Sequence, residues 1–99
     1  MAFEPGAIDA DLAAAVGNDP RLIEELRAAL IDSASHHADL LARSRCDANW
    51  SVAAHRLKGL AASFGARGLQ DAANFALKSA PGDPVALRKV ERAVTLLAG

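Results

Sequence analysis

Three histidines and one cysteine are the side chains here whose chemistry is poised near neutral pH: His36, His37, His55 and Cys46. Of these, His55 has the neighbourhood best read as a reactive site. Ser51 stands four residues before it, with Lys58 three, Gly59 four and Ala62 seven residues after it. On an α-helix these positions share one side. An imidazole with an ordinary pKa of about 6.5 is a neutral nucleophile near pH 7. Small neighbours let a bulky partner reach it, and an ammonium one turn away attracts an anion. The combination suits capture of a phosphoryl group. It suits metal binding poorly, because no second histidine or carboxylate lies three or four residues from His55. Glycine inside a helix costs about 1 kcal/mol relative to alanine, and close approach of another molecule at Gly59 would account for that loss. A solvated helix face carrying a surface histidine fits the same residues, and spacing by itself leaves both readings open.

The other reactive residues point to structure. His37 falls on the apolar side of its helix, as a satisfied seam histidine would, while His36 points to solvent. Neither has a cysteine or third histidine at metal-ligand spacing, so a zinc site would have to be assembled across helices. Cys46 is alone, which excludes an internal disulfide and CxxC chemistry. It reads as a small hydrophobe near a helix end. Trp50 reads as closing one end of the core.

Helices must position these groups. Alanine makes up about a quarter of the chain, whereas aromatic residues are 4%, so helix is favoured over strand. Ile8, Leu12 and Val16 predict a short helix over about 7–16. Asn18-Asp19-Pro20 offers caps and a first-turn proline for a long helix to about residue 45, with Leu22, Leu26, Leu30, Ala34, His37 and Leu41 on one face. Asp47 or Asn49 caps the next helix, over about 48–64, which closes on Gly65. On its wheel Ala53, Leu57, Leu60 and Phe64 span about 60°, and His55 lies about 175° from that arc. A third helix follows over about 67–79, with Leu69, Ala72, Ala73, Ala76 and Ala80 along one side. Asp83 and Pro84 open the last, where Leu87, Val90, Val94 and Leu97 form a stripe. The prediction is one all-α domain over 1–99. It is an up-down antiparallel four-helix bundle over about 20–98, with the additional N-terminal helix covering one end.

Charge narrows the functions further. Eleven basic residues against 12 acidic ones leave a formal charge of −1, against the basic field that a duplex binder needs. A helix-turn-helix reading of the Gly65 turn would use Arg67, Gln70, Asn74 and Lys78, but Asp71 lies among them. No nucleic-acid partner is therefore expected. The acidic start of the chain lacks a signal-peptide pattern, and no run of about 18 apolar residues occurs. A cytoplasmic protein without membrane attachment is expected. Paired carboxylates, a catalytic triad and a phosphate-cradling loop are all absent, which argues against an enzyme acting alone on a small substrate.

The segment 54–66, with Leu69 beyond it, resembles the histidine-containing phosphotransfer (HPt) domain family. That family's pattern sets a lysine three residues after its histidine, a glycine at four and another at ten. His55, Lys58, Gly59 and Gly65 occupy those places, with the apolar Leu57 between. The resemblance implies a four-helix bundle that relays phosphoryl groups between receiver-domain aspartates through a phosphohistidine at His55. It implies no cofactor of its own and no autonomous kinase activity. The partners would be response-regulator receiver domains, which bring the aspartate, Mg²⁺ and a lysine, and a hybrid histidine kinase. A monomer is expected. His55 and Lys58 would act on the phosphoryl group, and Gly59 and Ala62 would give clearance. Ser51 or Ser63 would offer a hydroxyl, although the wheel sets Ser63 about 80° from His55. Gly65 would fix the turn that presents the site, and Phe75, Arg56 and Arg67 are candidate partner contacts. Two positions depart from the pattern. Leu60 replaces a small residue, and Phe75-Ala76-Leu77 stands where relatives often show a leucine-glutamate pair. The competing reading is a helical adaptor that binds receivers or kinases without turning over phosphate.

Overall fold

The computed structural model describes Gly17 and residues 19–98, and the expected helix over 7–16 lies outside them. Four helices and no strand occur among the described residues: α1 (Pro20–Arg43), α2 (Asp47–Phe64), α3 (Arg67–Leu77) and α4 (Pro84–Ala98). Each packs against the next in sequence, and α1 also packs against α4. The radius of gyration is 13.4 Å, the value of about 13 Å for a compact chain of this length.

Local chemistry sets most helix ends. The Asp19 side chain accepts a hydrogen bond from the Arg21 amide at 2.9 Å, and Pro20 occupies the first turn of α1. Asp83 does the same for α4, accepting from the Ala86 amide at 3.1 Å. Gly65 ends α2 with φ 69° and ψ 23°, the left-handed conformation in which glycine avoids a Cβ clash. The start of α2 differs from expectation. Neither Asp47 nor Asn49 caps it; Cys46 holds the N-cap position without a side-chain bond, and Asp47 is the first helical residue. There its carboxylate favours the positive end of the helix dipole. Cys46 is exposed and not a core hydrophobe. At the end of α1, Ser44 turns extended and its hydroxyl donates to the Leu40 carbonyl at 2.7 Å, so α1 stops two residues earlier than periodicity predicts.

Alanine builds much of the core. Ala34, Ala54, Ala61, Ala66, Ala73, Ala76 and Ala86 are fully buried beside Leu30, Leu41, Leu57, Leu69, Val90 and Leu97. This shifts the buried face of α2. Its centre runs through Trp50, Ala54, Leu57 and Ala61, about 50° around from the arc of large apolar residues. Leu60 and Phe64 are only half-buried at its edge. Alanine methyls beside Trp50 and Leu57 make up the contact surface, which leaves Leu60 and Phe64 at its margin. Leu22, expected in the α1 stripe, is exposed, as is Ala80 beyond the end of α3. Trp50 is buried, and its indole N–H donates to the Ala76 carbonyl at 2.7 Å. This bond pins the first turn of α2 to the end of α3. No helix among the described residues is long and apolar enough to cross a membrane.

Candidate functional site

His55 sits at the middle of α2 with its side chain exposed. Leu57 and Ala54 point into the core and Trp50 anchors the first turn, which fixes the rotation of the helix. From the observed centre of burial His55 is about 140° away, still on the outward face. Around it Gly59, Ala62 and Ser63 are exposed, while Ser51 and Lys58 are half-buried. Arg56 lines the groove between α1 and α2, and the helical period sets Lys58 on the other side of His55. Two cations thus flank the imidazole from opposite sides. No group of three histidine, cysteine or carboxylate side chains is gathered to hold a metal among the described residues.

Gly59 is the informative position. A Cβ built there meets no atom of the described residues within 4 Å, and its backbone is helical. Among the described residues, therefore, nothing requires glycine, neither a close helix neighbour nor a special φ. Replacing Gly59 by alanine is expected to stabilise the protein by up to about 1 kcal/mol, the difference in helix propensity. Chemical denaturation would measure it, and a loss of stability would show that an internal contact had been missed.

Ser63 is spoken for. Its hydroxyl donates to the Gly59 carbonyl at 2.9 Å, a bond to its own helix four residues back. Ser51, one turn before His55, is the serine that shares the histidine's side of the helix. Phe75 is exposed on α3, but its ring lies under the Lys89 ammonium, which stands 5.0 Å from the ring centroid. This cation–π contact links α3 to α4. Arg56 and Arg67 are exposed.

One feature escaped the spacing argument. Val52, one turn before His55, is 53% exposed. Together with Leu40, also exposed, it lines a shallow groove between α1 and α2 that includes Asn49, Arg43 and Arg56. Arg43 is also paired with Asp39, four residues before it on the exposed surface of α1. The signal was present in the sequence: an apolar β-branched residue about 60° from His55 on the wheel. The site is thus an open surface, with an exposed imidazole, two cations and an apolar edge. Against family models, curated proteins and solved structures, the chain gives no match.

Proposed function

We propose that this protein is a histidine phosphotransfer protein, relaying a phosphoryl group between receiver-domain aspartates through His55. Gly59 is the observation that carries the reading. A glycine inside a helix, beside an exposed histidine and unneeded by any contact among the described residues, makes sense as clearance for an arriving partner. The reading includes the up-down antiparallel bundle, in which α2 presents its outer face to the receiver.

The chemistry needs little from this chain. The neutral Nε2 of His55 attacks the phosphorus of an aspartyl phosphate in line with the leaving carboxylate oxygen. The N–P bond forms as the P–O bond breaks, the carboxylate departs, and the proton on Nδ1 is free to pass to water. A second receiver's carboxylate reverses the step. Charge on the transferring oxygens is met by Lys58 from one side, and the receiver brings its Mg²⁺ and lysine. Val52 and Leu40 give apolar contact beside the nucleophile, with Arg56 steering an acidic receiver surface. A relay must let go, so the interface is small and its affinity modest.

Incubation with a panel of receivers phosphorylated in Mg²⁺ tests the reading. Acid-labile, alkali-stable label should appear on the protein, and stable binding without label would favour the adaptor instead. Lys58→Ala removes a charged hydrogen-bond donor of about 1.5–3 kcal/mol, so transfer should slow by about tenfold or more. A rate equal to wild type would remove Lys58 from the mechanism. Gly59→Ala should likewise slow transfer although it stabilises the fold, and that opposition separates a partner's need from the chain's own.

A further inference from the structure

The seam between α1 and α2 holds an ionisable side chain that phosphoryl transfer does not use. His37 is half-buried, and its Nδ1 is buried without a hydrogen-bond partner among the described residues. Sequence periodicity predicted a satisfied histidine at this position; the ring is instead left short of a partner. The His36 ring lies 5.4 Å away, centroid to centroid. From α2 the charge acting on it is Arg56. Among the described residues no carboxylate acts on it. Asp39 and Glu91 line a separate groove between α1 and α4, beside Ser35, Ala38 and Ala42. Those α1 positions fall about 100° or more around the helix from His37.

Burial holds the His37 imidazole below its ordinary 6.5, and His36 and Arg56 push it the same way. A proton added to this ring meets the repulsion of the Arg56 guanidinium, and among the described residues no carboxylate offsets it. We propose that His37 makes the α1–α2 seam acid-sensitive, so that protonating its ring loosens the helix pair that holds His55 in position. The device stands apart from the phosphotransfer reading and would operate in an adaptor equally well.

The direction follows from linkage. The unfolded chain binds the proton near the ordinary imidazole value, and the folded chain only at lower pH. Stability is therefore complete above about 6.5 and is lost as pH falls toward the depressed folded value. Two measurements test this on the intact protein. In an NMR titration of the three imidazoles, His37 should titrate below 6.5; a value at or above it would overturn the proposal. In chemical denaturation, the unfolding constant should rise several-fold from about pH 7.5 to about pH 5.5, with a ceiling of about tenfold for one imidazole. His37→Gln should remove most of that rise and His36→Gln should keep it. A full rise retained in His37→Gln would place the acid response elsewhere. The titration of the wild-type ring decides the matter if the glutamine variant does not fold.

Discussion

Replacing His55 by glutamine is expected to abolish phosphoryl acceptance from an aspartyl phosphate while leaving the helical fold unchanged. Glutamine matches the size of imidazole and keeps a polar tip in water, so the exposed face of α2 loses nothing in packing. Substitutions at such surface positions usually change stability by less than about 0.5 kcal/mol. The amide nitrogen, however, has no lone pair free to attack phosphorus. The loss should therefore be complete and not graded, below the detection limit of a labelling assay that follows wild-type transfer. Circular dichroism and denaturation of the same preparation would establish that the fold persists. Label retained on the glutamine variant would sink the assignment of His55. A variant that neither accepts label nor folds would contradict the solvent-facing placement of this side chain.

The largest loss of stability is expected at Trp50, five residues before His55. Its side chain is only 2% exposed, and truncating a buried tryptophan to alanine removes about 3–5 kcal/mol. In a domain whose whole stability is about 5–15 kcal/mol, Trp50→Ala would leave a sizeable unfolded fraction. Trp50→Phe dissects the effect. It preserves much of the apolar volume and removes the indole donor to the Ala76 carbonyl. That carbonyl retains the Ser79 amide at 3.0 Å, so the missing bond should cost only about 0.5–1.5 kcal/mol. Chemical denaturation of both variants gives the comparison. An alanine variant within about 1 kcal/mol of wild type would mean that Trp50 does not pin α2 to α3. Both predictions concern one helix. His55 would supply its proposed chemistry, and Trp50 helps fix the rotation that turns His55 outward.

Much of this was legible before any coordinates. Proline and aspartate pairs at 19–20 and 83–84 mark helix starts because their backbone and capping preferences are local. Gly65 marks a helix end for the same reason. The outward direction of His55 was legible because Leu57 and Ala53 lie nearly opposite it, and a helical period allows few other solutions. Cys46 at the α2 N-cap was less accessible, since its neighbours Asp47 and Asn49 are better capping residues by preference. The connection from Ser44 fixes where the helix can begin, and that choice is not local.

Alanine is where sequence reasoning reached its limit. Ala54, Ala61 and Ala73 are fully buried, whereas Ala48, Ala62 and Ala98 are exposed. A methyl group contributes about 0.8 kcal/mol on burial, too little to orient a helix by itself. The sequence determined that there would be helices, where most would begin and end, and that His55 would face out among small residues. Tertiary structure decided which alanines form the contact surfaces, and with them the shift of the buried face of α2. It also decided that, among the described residues, Gly59 answers to no neighbour and His37 Nδ1 lacks a hydrogen-bond partner. These facts depend on how closely neighbouring helices approach, a distance set by all their contacts together and written in no single segment.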